Sequence, residues 1–413
     1  MELGEMIKSA MGKKTSQDKK QLYTVWGEQL LEELQAVDGS QPEILAEYPR
    51  PQMKRDNYRI LNGWWSYAFT GQDSEKPEQW DGQILVPFSP ESVLSGVKRQ
   101  LMPDQSLWYE REILLTEEER QSGKRLLLHF GAVDQSCQVW WNDTRIGEHQ
   151  CGYLPFTFDV TELMQEKNVL RLQVWDDSDT GYHARGKQML KPGGMFYTAR
   201  SGIWQTVWME WVPQSYIERL KLTPDYDKRS VKAEMVVRNG ADGSKKKVVQ
   251  ERRLTEEEFH PWTPEDPYLY DWEITEGEDV VQTYFAMRCF TTEKDEKGIL
   301  RLCLNHQPYF QHGVLDQGYW PDGLMTAPSD EAFIYDIECL KKAGFNMIRK
   351  HIKIEPLRWY YHCDRLGMLV WQDMVNGGGK YEPVKVTYIP TFIPAMQEHM
   401  NDHIYRLFAR ENL

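Results

Sequence analysis

The stretch PSDEAFIYDIECLKKAGFNMIRK, residues 328–350, decides how the C-terminal part of this chain folds. Ser329 is a good helix N-cap, and the two acidic residues after it favour the first turn of a helix. Gly344 ends the helix, and the segment Phe-Asn-Met-Ile-Arg at 345–349 is predicted to be a strand. The apolar face of the helix recurs at helical spacing, at Phe333, Ile334, Ile337 and Leu340.

The same alternation of strand and helix continues on both sides of this stretch. Residues 309–315 are predicted to form an earlier strand. A second helix is expected to begin with Pro356 at its first position and to run to Gly367, before a buried strand at 368–371. Strands joined by helices of this length predict right-handed βαβ units and a parallel sheet. A closed barrel of such units needs eight strands, so the region 295–413 is expected to be an incomplete α/β barrel.

Residues 47–213 show a different pattern, with short segments in which apolar and polar residues alternate. This period of two, interrupted by Gly, Asp, Asn and Pro, predicts an antiparallel β-sandwich. The stretch 176–202 does not alternate and is predicted to be a long loop held against the protein. The clearest alternating triplets are Leu126, Leu128 and Phe130, then Leu170, Leu172 and Val174, then Val207, Met209 and Trp211.

Two further regions complete the expected organisation. Residues 214–294 contain more highly charged strands and the hairpin signal Asn239-Gly240. Their small number suits an immunoglobulin-like sandwich in architecture, without the disulfide of true immunoglobulin domains. Residues 1–46 are expected to be a polar extension with one docking or capping helix, whose apolar stripe is Trp26, Leu30, Leu31 and Leu34.

Charge excludes several classes of partner. The chain has 49 Lys plus Arg against 63 Asp plus Glu, a formal charge of −14. An acidic protein is not drawn to phosphate backbones or anionic membrane surfaces, so we expect neither nucleic acid nor a membrane as partner. No apolar run is long enough to span a bilayer.

Cysteine usage and the N-terminus bear on the compartment. The six cysteines are scattered and show no CxxC pairing, which indicates free thiols in a reducing compartment. No apolar signal region follows Met1. We therefore expect a cytoplasmic protein. The sixteen tryptophans have two explanations at this point, namely cores of β-sandwiches and platforms for sugar rings.

Several motifs, in this order, resemble glycoside hydrolase family 2, the family of β-galactosidases, β-glucuronidases and β-mannosidases. The resemblance covers residues 47–373. The first motifs look like the entry to the sugar-binding sandwich of that family, the middle ones are similar to its central strands and long loop, and the last two look like its second and third barrel strands. The motifs lie at 47–52, 61–65, 84–88 with Glu91-Ser92, 152–161, 168–172, 186–188, 201–204, 342–349 and 363–370.

The resemblance implies a jelly-roll sugar-binding domain, an immunoglobulin-like sandwich and a TIM (β/α)8 barrel, in chain order. It also implies retaining hydrolysis of β-glycosides, which needs two carboxyl groups ~5–5.5 Å apart. The family keeps its acid/base Glu in an Asn-Glu pair after the fourth barrel strand and its nucleophile Glu after the seventh. We therefore expect both catalytic carboxylates beyond Leu413, and we expect the present chain to be inactive by itself.

The resemblance further implies a set of sugar-binding residues in the strands that are present. Arg349 is expected to orient a catalytic carboxylate, and His351 to hydrogen-bond a sugar hydroxyl, although Arg-Lys-His replaces the usual Arg-x-x-His of the family. Each of these residues has a structural alternative, such as a satisfied side chain in the barrel mouth or a capped surface loop. The expected substrate-binding residues are Asp179, Asp316, Tyr319, Trp320, Arg349, His351, Trp371 and Asp373.

Some alternatives stay open at the level of sequence. No zinc-type spacing of histidines is present, and no cofactor is expected. A divalent cation at Asp373 lacks a companion carboxylate and histidine. The partner is expected to be a β-linked carbohydrate, β-galactoside or related, and a homo-oligomer is an open option. The rival function is a non-catalytic carbohydrate-binding or assembly fragment.

Overall fold

A computed structural model describes residues 21–36, 41–181, 183–373 and 375. The predicted regions 1–46 and 295–413 therefore lie partly outside the described residues. The helices are α1 (Val25–Ala36), α2 (Glu117–Gln121), α3 (Asp330–Lys342) and α4 (Leu357–Leu366), with short 3₁₀ turns at Pro51–Met53, Thr161–Leu163 and Ser178–Thr180.

The first and largest part of the structure is a β-sandwich. A four-stranded sheet in the order β1-β14-β5-β9 packs on a six-stranded sheet in the order β3-β2-β4-β10-β7-β8. The strands of this part are β1 (Tyr58–Ile60), β2 (Gly63–Gly71), β3 (Gly82–Val86), β4 (Gln105–Leu114), β5 (Arg125–Phe130), β6 (Val133–Asp134), β7 (Ser136–Trp141), β8 (Thr144–Gln150), β9 (Phe156–Asp159), β10 (Lys167–Trp175), β11 (Gln188–Met189), β12 (Tyr197–Thr198), β13 (Gly202–Ile203) and β14 (Val207–Val212).

Alternation along the strands builds the sandwich core, as the sequence predicted. The six-stranded sheet and the strands β5 and β14 pair antiparallel, so every second side chain points inward. The inward residues include the predicted triplets and the fully buried Trp65 and Trp141. These tryptophans are core residues, which is the first of the two explanations for the high tryptophan content.

The second part of the structure contains two small antiparallel sheets around a separate core. A three-stranded sheet in the order β15-β16-β17 and the hairpin β18-β19 share a cluster centred on Ile217, Val231, Ile274 and Val281. A third antiparallel sheet, β20-β21-β22, leads to the last part of the chain. The strands are β15 (Ser215–Asp225), β16 (Ser230–Asn239), β17 (Lys245–Arg253), β18 (Tyr270–Glu276), β19 (Asp279–Phe285), β20 (Phe290–Lys294), β21 (Leu300–Leu304) and β22 (Gln307–Pro308).

The last part is a parallel sheet of three strands, β23 (Gly313–Asp316), β24 (Met347–Lys350) and β25 (Leu369–Gln372). Helix α3 joins the first two strands and α4 joins the last two, as predicted. Ser329 accepts a hydrogen bond from the amide of Ala332 and caps α3. Gly367, at φ +75°, ends α4 because a left-handed residue cannot continue the helix.

Several element boundaries differ from the prediction. The first parallel strand begins at Gly313 rather than at 309, because the side chain of Asn346 bonds the Phe310 carbonyl and the His312 amide and holds that segment outside the sheet. The strand β24 begins and ends later than predicted. Pro356 is extended and is the N-cap of α4 rather than its first residue.

Helix α1 docks where the sandwich meets the last part of the chain. Its Leu30 joins a small core with Leu85, Phe88 and Leu94 of the sandwich, and Trp26 contacts the ring of Trp320 edge to face. The predicted apolar stripe is therefore the docking face of the helix.

A buried carboxylate ties three segments together. Glu210 on β14 is fully buried and pairs with Arg55 at 2.9 Å and Arg50 at 3.2 Å. The guanidinium of Arg55 also grips the carboxylate of Asp279 on β19 through two hydrogen bonds, of 2.9 and 2.7 Å. Burial alone raises the pKa of a carboxyl group, but Arg50 and the other cations around it hold the pKa of Glu210 well below its usual range.

Glu210→Gln is expected to lower the free energy of unfolding by about 3–5 kcal/mol at pH 7, because it leaves buried guanidinium charge without its partner. Urea denaturation measures the change. The matched control is Glu148→Gln, which removes one side of the exposed Arg145–Glu148 pair and should change the free energy by less than about 1 kcal/mol.

Comparison of the unmodified chain with Glu210→Gln also tests how the stability depends on pH. An unfolded glutamate binds its proton near the ordinary pKa of 4.5, whereas folded Glu210 binds it at lower pH. Its stabilisation is therefore present above about pH 4.5 and lost as the pH falls below it. The urea midpoint of the unmodified chain should fall more steeply below pH 4.5 than that of Glu210→Gln, and equal slopes would contradict this account.

Candidate functional site

The carboxyl ends of the three parallel strands bring distant polar residues together at one edge of the sheet. The amide of His351 donates to the carbonyl of Asp316 at 2.8 Å, and the amide of Asp373 donates to the carbonyl of Lys350 at 3.0 Å. Parallel strands end at the same edge. Of the eight predicted residues, Asp316, Arg349, His351, Trp371 and Asp373 lie there.

Asp373 is gripped by two of the predicted residues. The guanidinium of Arg349 donates to both of its carboxylate oxygens at 3.0 Å, a bidentate pair. The Nδ1 atom of His351 lies 2.6 Å from Oδ2 of Asp373. The carboxylate that Arg349 orients among the described residues is therefore Asp373. The side chain of Arg349 remains 47% exposed, so its remaining donors face solvent at the edge.

Asp316 ends β23 as an ionised carboxylate. Its Oδ1 accepts from the amide of Gly318 at 2.8 Å, and its Oδ2 pairs with the ammonium of Lys350. Burial disfavours the charged form, but the neighbouring Lys350 outweighs burial and lowers the pKa of Asp316. Because its side chain is still 31% exposed, Asp316 can accept a hydrogen bond from a hydroxyl group at this edge.

Trp320, predicted to stack on a sugar, lies in the core instead of at the edge. It is 8% exposed and packs against Trp26 and Phe333. A stacking platform needs an open ring face, and a side chain that is only 8% exposed does not offer one. Trp320 is therefore a core residue, unlike either a sugar platform or a side chain of a capped surface loop, and it is not one of the proposed sugar contacts.

Tyr319 connects the strand edge to the long loop of the sandwich. Its ring stacks on Tyr197 with 4.0 Å between ring centroids, and its hydroxyl donates to the carbonyl of Thr198. On the same loop, a Cβ atom at Gly186 would lie 2.9 Å from the carbonyl oxygen of Ile352. The loop predicted to be held against the protein therefore reaches the strand ends.

Asp179 supports this loop from within. Its Oδ1 accepts a hydrogen bond from the amide of Leu190 at 2.9 Å. A small cleft lies where the loop meets the strand ends, lined among others by Arg185, Lys187, Gln317 and His351. Asp179 does not line this cleft.

Trp371 is held at the sheet edge by Gln311. The indole Nε1 donates to the side-chain oxygen of Gln311, and the ring is half-buried. With its nitrogen paired, the ring has a fixed orientation, so a sugar contact there would be made by the ring face.

The sequence patterns did not single out three charged residues at this site. Lys350, Lys353 and Glu355 are each 1% exposed, and both lysines form an ion pair with Glu355. The available signal was the run RKHIKIE at 349–355, in which charged residues directly follow a buried strand. A buried charge must be paired, but the sequence does not show which of these residues are buried.

A larger cleft of about 1000 Å³ lies elsewhere, between the β-sandwich, the β15-β16-β17 sheet and the starts of α3 and α4. None of the eight predicted residues lines it. Within the described ranges, no three His, Cys, Asp or Glu side chains are placed to hold a metal ion. All six cysteines are free, and no helix of the described residues is long and apolar enough to cross a membrane.

Comparison with known proteins shows similarity to one family of glycosidases. Residues 93–214 match the family model of the glycosyl hydrolase 2 galactose-binding domain-like domain. A β-galactosidase of Oenococcus oeni is 23% identical over 418 residues, covering 87% of this chain and 39% of that protein. A β-galactosidase of Lactococcus lactis is 25% identical and covers 84% of this chain and 38% of that protein. The chain thus spans about two fifths of the length of these curated relatives.

Solved structures agree in fold. A family 2 β-galacturonidase of Eisenbergiella tayi superposes with a TM-score of 0.69 at 20% identity, covering 86% of this chain and 64% of that one. A β-glucuronidase of Faecalibacterium prausnitzii superposes with a TM-score of 0.65 at 21% identity, covering 85% and 66%.

Together, these features define a multidomain, β-rich protein whose first sandwich is a galactose-binding-like domain. The chain is thus similar in sequence to β-galactosidases and in fold to glycosidases of family 2, and residues 93–214 match a domain of that family.

Trp320→Ala is expected to lower the free energy of unfolding by about 3–5 kcal/mol, because it empties a packed site between α1 and α3. Chemical denaturation measures this. Tyr335→Ala is the matched control, since Tyr335 also contacts Trp26 but is 55% exposed, and its effect should be much smaller. Equal losses of unfolding free energy in the two variants would contradict the assignment of Trp320 to the packed core.

Proposed function

We propose that this chain is the N-terminal portion of a retaining β-glycosidase that acts on β-linked sugars of the β-galactoside kind. The single observation that supports this most is the Arg349–Asp373–His351 cluster at the carboxyl ends of parallel strands, where barrel enzymes keep their chemistry. The β-galactosidases of Oenococcus oeni and Lactococcus lactis support the choice of sugar class.

The proposed domain organisation follows the sequence analysis. Residues 1–46 form an N-terminal helical extension and 47–213 a jelly-roll sugar-binding domain. Residues 214–294 form an immunoglobulin-like sandwich, and 295–413 form the first part of a TIM barrel. The two small sheets around one core support the third unit, and the parallel β23-β24-β25 sheet supports the fourth.

The described carboxylates at the edge do not provide the catalytic pair. A general acid must hold a proton near neutral pH, yet the pKa of Asp316 is lowered by Lys350. A nucleophilic carboxylate must be free to reach the anomeric carbon, yet Asp373 is bound on both oxygens by Arg349. We therefore propose that the catalytic pair is not Asp316 and Asp373 but belongs to the part of the family 2 relatives that this chain does not span.

The residues at the edge then have binding roles. Asp316 accepts from sugar hydroxyls, Arg349 and His351 donate to oxygens of the sugar or orient a carboxylate supplied by the rest of the barrel, and the face of Trp371 packs on the ring. Tyr319 and Asp179 do not contact the sugar directly. They hold in place the sandwich loop that borders one side of the strand edge. The six free thiols support a cytoplasmic location.

A second function, a carbohydrate-binding or assembly unit without catalysis, is favoured by one observation. Both edge carboxylates are engaged in ion pairs, so they suit the recognition of hydroxyl groups better than proton transfer. In that case the chain binds a sugar without hydrolysing it.

Hydrolysis of a panel of nitrophenyl β-glycosides separates the two functions. The chain of 413 residues and the product read to the natural stop codon are assayed side by side. We expect turnover only by a longer product, with release of nitrophenol from the β-galactoside or a related sugar. Turnover by the 413-residue chain would place the catalytic pair within it and contradict the proposal.

Asp373→Asn is expected to weaken sugar binding at least about tenfold, because an uncharged amide releases Arg349 and His351 from their fixed orientation. Calorimetric titration of the chain with the sugar that the panel selects measures this. Arg301→Ala is the matched control, since it breaks a comparable 2.9 Å Arg–Asp pair, with Asp295, outside the strand edge. An unchanged affinity of Asp373→Asn for the sugar would contradict the role of the Arg349–Asp373–His351 cluster in sugar binding.

A further inference from the structure

A buried cluster of charges lies directly beneath the loop that follows β23. Lys350, Lys353 and Glu355 are each 1% exposed. One carboxylate oxygen of Glu355 lies 2.8 Å from the ammonium of Lys350, and the other lies 2.8 Å from that of Lys353. Together with Asp316, which also pairs with Lys350, two positive charges balance two negative ones.

Lys353 uses this cluster to hold the loop at two points. Its ammonium donates to the carbonyl of Gly318 at 2.5 Å and to the carbonyl of Met325 at 2.8 Å. The same ammonium forms an ion pair with Oε2 of Glu355. The two carbonyls bracket the segment 318–325, so one side chain closes a loop that has no regular strand or helix of its own.

Gly318 shows how closely the loop lies on the charges. It has φ +59°, and a Cβ atom there would lie 2.0 Å from the Glu355 carboxylate and 2.8 Å from the Lys353 ammonium. Any side chain at this position would push the loop off the cluster, so the backbone conformation and the charges depend on each other.

The bracketed segment carries Tyr319, which stacks on Tyr197 of the sandwich loop. At the other end of the cluster, Lys350 pairs with Asp316 at the strand edge. The buried charges thus lie between the segment 318–325 and the end of β23, which both border the candidate site. Through these charges, both are held in place against β24.

We propose that Lys353, held in place by Glu355, is a positioning residue that fixes the segment 318–325 against the strand edge and thereby sets the affinity of the site for a sugar ring. This rests on the proposed function, because the affinity in question is that of the proposed sugar site. Neither lysine contacts the sugar in this account. Their effect passes through Tyr319 and Asp316.

The test compares Lys353→Met with the double variant Lys353→Met/Glu355→Gln. The single variant leaves a buried carboxylate short of one partner and is expected to be less stable. The double variant removes both charges, so charge balance and most of the stability return. In both variants, however, Gly318 and Met325 lose their shared anchor. We therefore expect the double variant to melt close to the unmodified chain but to bind sugar at least about tenfold more weakly.

Amide hydrogen exchange measures the protection of the loop in the absence of sugar. The segment 318–325 should lose protection in the double variant, while protection in the sandwich strands stays unchanged. Lys341→Met is the matched control. That lysine also donates to two backbone carbonyls, those of Pro264 and Leu366, but away from the strand edge, and its loss should change neither sugar affinity nor exchange in 318–325.

The outcomes separate the two proposals. Unchanged loop protection and sugar affinity in the double variant would overturn the positioning role of Lys353. If the unmodified chain binds no sugar, the proposed function fails, whereas increased exchange in 318–325 would still support the anchor. A loss of affinity that Lys341→Met reproduces equally would show a general effect of removing a lysine, and would overturn the inference.

Discussion

The buried carboxylate of Glu210 is the constraint on which the arrangement of the domains depends. It lies on the outer face of the sandwich, where Arg50, Arg55 and Trp208 converge on it. Through Arg55 the same network reaches Asp279 on β19. A charge at zero exposure is tolerated only when it is fully paired, so the segments that supply its partners must meet at one place. Removing any of them exposes the others to an uncompensated burial cost.

A second buried charged network positions the elements of the candidate site, as the network around Glu210 positions the domains. Lys350, Lys353 and Glu355 are buried between β24 and the loop after β23, and they hold that loop rather than contact solvent. The sandwich meets this region through an apolar cluster that includes Tyr153, Trp204 and Trp359. The sandwich loop and the strand edge are thus brought together by packing, while their exact relation is set by a few directed ion pairs and hydrogen bonds.

Periodicity predicted the elements well because it records which face of each element is buried. Alternation in 126–130, 170–174 and 207–211 indicated the antiparallel sandwich, and Ser329 and Gly367 marked helix ends through local backbone chemistry. The boundaries near 309–313 were misplaced because the Asn346 side chain, far along the chain, decides where β23 begins. Such a contact leaves no trace in the local pattern.

The sequence by itself determined the order of the structural units and five residues at the strand edge, since parallel strands place their ends together. It did not determine that Trp320 is packed between Trp26 and Phe333, or that Lys353 is buried with Glu355. An aromatic or a lysine has the same local signature whether it faces solvent or the interior. Only the tertiary structure decided this, because burial depends on which distant segments pack against each side chain.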